Sequence, residues 1–392
     1  MSVRECALQS KAFSKLKEIY DHREKVSGEW RSRGKKVIGE LGCDVPDEYI
    51  IAAGMLPIHV YADPEKELKE TDKYLEYAFD PVVRSQFEKI VDGTYAKQVD
   101  GIAISNSTDV IVRIFLYLRE LKRVEPDKDL PPIEFIDWLF TRHCIHQVRN
   151  EHTLNLYRDA VEKMAGRKLG EEEIEWAIDI CNADRQALRE MSELRHGEEV
   201  QISGSEALVV IGSAFFMERE EHTRLVKQVT EDAKSWPLLT GIRVFFTGSN
   251  QESTELYDMA ENAGMVIVGE DHDWGDRFYE RDCSKEYTPT RAIVDRYMLR
   301  EFSSKKAYVS QRVDALNREV EHTKAEAVLF YTNRYEDAAS WDYPSQKASL
   351  EEKKIGTIHF SKMAWPVSAN ENLQEKLKEA AVAIKGGALY DC

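Results

Sequence analysis

The sequence predicts an α/β protein of two parallel-sheet lobes, with a helical N-terminus and a mostly helical middle. Three observations carry this. Short apolar runs alternate with helix-length amphipathic stretches in both the first and the last third of the chain. Between residues 150 and 200 the strand-like runs vanish and helical periodicity takes over. The 392 residues are enough for two or three domains rather than one.

In residues 1–35, Phe13, Leu16, Ile19 and Tyr20 recur at helical spacing with charges between them. KKVIGELG is a short apolar run ending at Gly42. PDEYIIAAG opens with a helix-start proline and acids and closes on Gly54, and LPIHVYA follows as a strand. After a polar helical stretch, VDGIAISNSTD gives a strand, DVIVRIFLYLRELKR a helix and PPIEFIDWLF another strand. In KLGEEEIEWAIDICNADRQALREMSEL, the residues Ile174, Ala177, Ile178, Cys181, Leu188 and Met191 share one helix face. Glu171, Glu172 and Glu173 sit at the positive end of its dipole. Residues 206–231 also read as helix.

The alternation then resumes. GIRVFFTGSN is a strand and turn, STELYDMAENAG a helix capped by Ser253 and stopped by Gly264, and GMVIVGEDHDWG a strand. A helical stretch covers 287–323, followed by the strands AEAVLFY and IGTIHFSK and a last helix over 371–385. The expected units are 1–35, 36–148, 149–236 and 237–392, the two sheet lobes being Rossmann-like and specifically flavodoxin-like. An internal echo links them, because VDGIAISNSTD and KAEAVLFYTNRYED both leave a strand through a short polar segment. Thr108-Asp109 and Glu336-Asp337 thereby occupy equivalent strand exits, where open α/β sheets bind ligands.

A net charge of −17 disfavours nucleic acid and anionic membrane as partners, since both are bound through basic surfaces. No run approaches the ~20 apolar residues of a membrane span, and the charged N-terminus is unlike a signal peptide. Six cysteines (Cys6, Cys43, Cys144, Cys181, Cys283 and Cys392) show no CxxC and no recurring spacing, which suits free thiols in a reducing cytoplasm. There is neither GxxxxGK[ST] nor GxGxxG, so any ATP hydrolysis in this protein's pathway is expected on another chain.

Several segments are candidates for chemistry. GSNQES, 248–253, lies between strand and helix and offers either an anion cradle or an ordinary βα turn, the turn being the simpler reading. His143, Cys144, His146 and His152 are zinc-type side chains, but the adjacent pair diverges and no second ligand pair stands at a recognisable distance. A polar hinge is the preferred reading there, with no metal assigned. In GEDHDWGDRFYERD, 269–282, aromatic residues interleave the acids, which favours a pocket lining. Asp271 is its acid/base candidate if burial tunes it. In NRYEDAASWDYP, 333–344, Glu336 and Asp337 leave a buried strand side by side with Trp341 and Tyr343 close behind. Capping of the next helix, as an N-cap and a first-turn acid, accounts for one carboxylate comfortably and for both less easily with an aromatic pair behind, so Glu336 and Asp337 stand beside Asp271 as catalytic candidates.

Taken together, these stretches resemble the 2-hydroxyacyl-CoA dehydratase and benzoyl-CoA reductase family over residues 33–386. GKKVIGELGCDVPDEYIIAAGMLPIHVYADP looks like its opening strand, Pro-x-Glu-like helix and AAG-x-x-P turn. Asn182 and Arg185 match its Asn-x-x-Arg, and VFFTGSNQESTELYDMAENAGMVIVGEDHDWGDRFYE looks like the start of its second lobe. The resemblance implies a [4Fe–4S] cluster held between the lobes by three cysteines. Those positions fall here on Asp80 (in FDPVVRS), Thr108 and Glu336, and none is cysteine, while Asp109 and Asp337 still follow the last two. Thiolates hold such clusters, so the resemblance implies a subunit binding no cofactor of its own. The expected complex is a heteromeric benzoyl-CoA reductase. A homologous partner subunit would bear the [4Fe–4S] cluster, an iron–sulfur activator would hydrolyse ATP, and a CoA thioester would be the substrate. A 2-hydroxyacyl-CoA dehydratase subunit and a purely structural partner stand as alternatives. Cys283 is not expected to restore a ligand, and Arg84, Arg334 or a helix dipole is expected to compensate Glu336.

Overall fold

The structure is a computed structural model that describes residues 3–300, 307–387 and 390–391. Among them, the first sheet holds β1 (Val37–Leu41), β2 (Leu56–His59), β3 (Gly101–Ser105) and β4 (Ile133–Ile136) in the order β2-β1-β3-β4. The second holds β5 (Ile242–Gly248), β6 (Met265–Glu270), β7 (Ala327–Asn333), β8 (Gly356–Met363) and β9 (Tyr390–Asp391) in the order β6-β5-β7-β8-β9. Every pairing in both sheets is parallel. β1, β3 and β7 are buried along their whole length, as expected of strands covered by helices on both faces. The two sheets repeat one winding order, the flavodoxin-like one, so β3 and β7 are topologically equivalent and the sequence echo is a structural one.

Three N-terminal helices, Glu5–Gln9, Lys11–Asp21 and Arg23–Ser32, bury Phe13, Leu16 and Tyr20, while Ile19 is only partly covered. They pack on the middle of the chain, where Arg4 pairs with buried Glu206 at 2.8 Å. The middle helix Glu171–Ser192 buries the predicted face, and Glu173 accepts the N–H of Gly170 at 2.8 Å. No helix among the described residues is long and apolar enough to cross a membrane.

Several local expectations are corrected. The stretch 206–231 is not one helix, for Gly204–Ser213 passes through a 3₁₀ turn at Ala214–Phe216 before Arg219–Ala233 begins. The residues 142–152 form no hinge, because the helix Cys144–Ala165 starts within them. Thr254, not Ser253, is the N-cap of Glu255–Asn262. Within 287–323 the helices are Pro289–Met298 and Val309–Thr323, and 301–306 lie outside the described residues. β9 was not anticipated.

Buried ion pairs lock these parts together. Glu48, on the first-lobe helix Asp47–Ala52, is fully buried and accepts from Arg185 at 2.6 Å and from the Tyr297 hydroxyl at 3.3 Å, with Arg296 at 3.9 Å. Burial alone would raise the Glu48 carboxyl, but the guanidiniums of Arg185 and Arg296 overcome this and hold it below its ordinary value. Asn182 fixes the other side. Its amide donates to the Cys283 carbonyl at 2.8 Å, and its oxygen accepts from the Cys283 N–H at 3.0 Å and from Arg185 at 2.9 Å. Neighbouring Asp47 pairs with Arg219. The Asn-x-x-Arg signature is therefore a clasp between the first lobe, the middle helix and the segment after β6.

Replacing Arg185 with Met leaves Glu48 short of its main counter-charge. The expected loss is roughly 3–5 kcal/mol of stability, as for other single-partner deletions in buried pairs, read from the urea midpoint.

Candidate functional site

The carboxyl ends of the two sheets face one another across a cleft. At both switch points a glycine makes the turn. Gly42 follows β1 with φ +93°, and a Cβ there would lie 2.4 Å from the Ser107 hydroxyl. Gly248 closes β5 with φ +131°, and a Cβ there would lie 2.1 Å from the Tyr331 carbonyl oxygen. These close approaches bring the exits of β1 and β3, and of β5 and β7, to the same mouth. The mouth divides into two adjoining cavities, both open to solvent, which share Asn250, Asp273 and Glu336.

The first cavity gathers all three positions where the family resemblance implies thiolates, Asp80, Thr108 and Glu336. Each stands at a helix N-terminus. Asp80 caps Pro81–Val91, accepting from the N–H groups of Val82 at 2.9 Å and Val83 at 3.3 Å. Thr108 caps Asp109–Val124, accepting from Ile111 N–H at 3.1 Å. Glu336 lies two residues before Ala338–Glu352. Three positive helix ends therefore converge where an anionic group would otherwise sit. The donors present, a carboxylate, a hydroxyl and a second carboxylate, do not fit an iron–sulfur cluster, which takes thiolates. Cys43 is the thiol at this cavity among the described residues, and its sulfur accepts from Arg277 at 3.1 Å. Cys283 is buried beside Glu48 and does not line the cavity; Cys392 lies outside the described residues.

Arg277 lines the second cavity and links the two lobes. It pairs with Asp273 of the second lobe and reaches Asp44 of the first at 3.6 Å. Arg300 adds bonds to the Cys43 carbonyl at 2.8 Å and to Asp44 at 3.2 Å. The first cavity is also lined by a pair that the sequence pattern did not single out, Glu40 in the middle of KKVIGELG and His59 at the end of β2, 3.3 Å apart. Burial, reinforced by the charge of Asp47, pushes the Glu40 carboxyl well above its ordinary value, and burial lowers His59 to about 4. Burial thus favours the protonated form of the Glu40 carboxyl and the neutral form of the His59 imidazole. An acid inside a fully buried parallel strand was the signal available in the sequence.

The second cavity is lined by Asp271, His272, Asp273 and Arg277 of the 269–282 segment, and by Tyr343. Asp271 accepts from the Thr247 hydroxyl at 2.7 Å. Burial pushes its carboxyl up to about 7, against the opposing hydrogen bonds from Thr247 and the Gly248 backbone. Burial likewise lowers His272 to about 4, and its ring accepts or donates at 2.9 Å to the Tyr257 hydroxyl. Tyr343 stacks on His359 with centroids 3.6 Å apart, whereas Trp341 is 80% exposed and stands outside.

Other expectations are corrected. Asp337 is the N-cap residue, yet its side chain makes no capping bond, so helix capping does not explain the acid pair. Arg84 is turned away from Glu336, being held by Asp72 and by the carbonyls of Leu75 and Glu76. Arg334 is exposed. His143, Cys144, His146 and His152 are exposed or half-buried at the start of a surface helix, where His146 Nδ1 meets the Thr141 carbonyl. GSNQES is more than a turn within its own lobe. It crosses to the first lobe, where Glu252 accepts from Ala62 N–H at 2.7 Å and from Gln86 at 3.0 Å.

The profile of the 2-hydroxyglutaryl-CoA dehydratase D-component family matches residues 43–379, and the chain belongs to that family. It is 26% identical over 353 residues to the (R)-phenyllactyl-CoA dehydratase beta subunit of Clostridium sporogenes, covering 88% of this chain and 91% of that one. It is 22% identical to the beta subunit of (R)-2-hydroxyglutaryl-CoA dehydratase of Acidaminococcus fermentans, covering 83% and 86%. It is 24% identical to a benzoyl-CoA reductase subunit of Thauera aromatica, covering 83% and 85%. The chain is thus a subunit of the 2-hydroxyacyl-CoA dehydratase and benzoyl-CoA reductase kind.

Asp271 has a raised carboxyl, so the folded state binds its proton more tightly than the unfolded chain does. Stability therefore falls as pH rises from about 4 to about 7. Replacing Asp271 with Asn removes that slope. The variant is expected to match the parent near pH 4 and to exceed it by about 1–3 kcal/mol near pH 8, in urea unfolding at the two pH values.

Proposed function

We propose that this chain is the cluster-free subunit of a heteromeric 2-hydroxyacyl-CoA dehydratase. In this reading it builds part of the acyl-CoA site beside a homologous, [4Fe–4S]-bearing sister, and an ATP-hydrolysing iron–sulfur activator supplies electrons. The observation that carries the proposal is the convergence in one interlobe cavity of Asp80, Thr108 and Glu336, the positions where the family resemblance implies thiolates. The likenesses to two dehydratase beta subunits favour the dehydratase over the reductase. The benzoyl-CoA reductase reading keeps the support of the 24% likeness to the Thauera aromatica protein.

Dehydration of a 2-hydroxyacyl thioester removes a hydroxyl from C2 and a proton from C3, so the site needs a group that takes up and gives back protons near neutrality. Asp271, at about 7 and opening on the second cavity, meets that requirement. Arg277, which lines the same cavity, supplies a fixed positive charge for a substrate oxygen that gains negative charge. The Glu40–His59 pair, whose carboxyl is raised by burial, lines the first cavity as a second candidate for proton transfer. The work is assigned to the cytoplasm, where unpaired thiols and ATP coexist.

In the complex reconstituted with its sister and activator, Asp271→Asn is expected to lower turnover of a 2-hydroxyacyl-CoA by about 10²–10⁴-fold while leaving the iron content unchanged. Unchanged turnover makes the chain a structural partner. Reduction of benzoyl-CoA in place of water release selects the reductase. A separate expectation concerns the seat. Glu336→Cys alone takes up no stable cluster after anaerobic iron and sulfide reconstitution, since two of three thiolates are still missing. A stable cluster in that variant, seen by absorbance and iron count, contradicts the assignment.

A further inference from the structure

Away from the cleft, the end of the middle helix meets the end of Val309–Thr323. Glu193 and His196, three residues apart, stand just past the end of the first, and His322 lies in the last turn of the second. His322 Nε2 lies 3.0 Å from His196 Nδ1 and 3.3 Å from Glu193 Oε1, and His196 Nδ1 lies 3.6 Å from the same oxygen. Three donor atoms thus form a triangle of edges 3.0, 3.3 and 3.6 Å. Zinc–nitrogen and zinc–oxygen bonds of about 2.0–2.2 Å in a tetrahedron place neighbouring ligand atoms about 3.3–3.5 Å apart. The triangle matches one face of that tetrahedron, and its fourth corner points to solvent, because Glu193 and His322 are exposed.

The backbone that presents these groups is held from both sides. Arg195, between the two first-segment ligands, is fully buried and makes a two-pronged bond to Glu270 at 2.7 and 2.8 Å. Gly197 N–H donates to the Thr323 carbonyl at 3.3 Å, tying the loop to the residue after His322. Such preorganisation lowers the cost of assembling a site.

We propose that Glu193, His196 and His322 bind a divalent transition metal of the zinc type, with water in the fourth position. The metal clips the end of the middle helix to Val309–Thr323. That helix carries Arg312 and Ala315 into the second cavity, so the clip steadies one wall of the cleft from its far end. His196 Nε2 is buried with no hydrogen-bond acceptor among the described residues, so the outer support usual for a metal-bound imidazole is missing on that side. A micromolar rather than a nanomolar site follows.

The test is equilibrium dialysis of the full chain, thiols alkylated, against zinc chloride. A parallel absorption titration with cobalt(II) reports coordination number. One equivalent of zinc at micromolar concentration, with a thermal midpoint raised by zinc, is expected. His322→Gln should weaken binding at least about tenfold and abolish the rise, and Glu193→Gln should weaken it less. Both residues are exposed, so neither variant should disturb folding, which the zinc-free melting curve checks. Absence of saturable zinc binding, or equal affinity in parent and His322→Gln, overturns the proposal and leaves a hydrogen-bonded histidine pair.

Discussion

The arrangement rests on one buried carboxylate. Glu48 is removed from water on the first lobe, and removing a charge from water costs several kcal/mol unless partners replace the solvent. Arg185 of the middle helix and Tyr297 of the segment after β6 supply them. Asn182 then ties Arg185 to the backbone of Cys283, so none of the three parts can shift without stranding a charge. Such a clasp need not add much net stability. Its value is positional: it fixes the angle at which two sheets of the same winding order present their carboxyl ends to one another.

The cleft chemistry follows from that geometry. Two switch points set face to face bring helix N-termini to a common space, and their positive ends suit thiolates of a cluster or acidic and hydroxyl side chains alike. Asp80 and Thr108 use their oxygens to cap the helices they precede, which is work a hydrogen-bond acceptor does better than a thiol. On the reading proposed above, the same scaffold accommodates oxygen side chains at these positions without loss of fold. The cleft holds a carboxyl raised to about 7 at Asp271, the buried Glu40–His59 pair, and Arg277 reaching both lobes.

Much of this was legible in the sequence, for physical reasons. Buried parallel strands are short apolar runs, and helices carry their own period, so eight of the nine strands described and the helical middle could be read directly. β9 is a two-residue strand and leaves no periodic trace. The echo between SNSTD and NRYED marked equivalent exits because both lobes wind alike. The Glu40–His59 pair, the reach of Glu252 into the first lobe and the grip of Arg277 on Asp44 were not legible, since each joins residues far apart in the chain or on separate strands. The capping explanation for Asp337 failed because its side chain bonds none of the helix N–H groups. The compensating role expected of Arg84 failed because its helix turns the guanidinium toward Asp72.

The claim that this subunit keeps the seat and not the cluster is tested most directly by metal analysis of the native complex. Iron and acid-labile sulfide would be quantified on each chain after anaerobic separation of the co-purified assembly. The account predicts iron and sulfide on a co-purifying homologous chain and none on this one. A stoichiometric cluster on this chain would contradict it, and Cys43, the thiol at the cavity, would be the first ligand to examine.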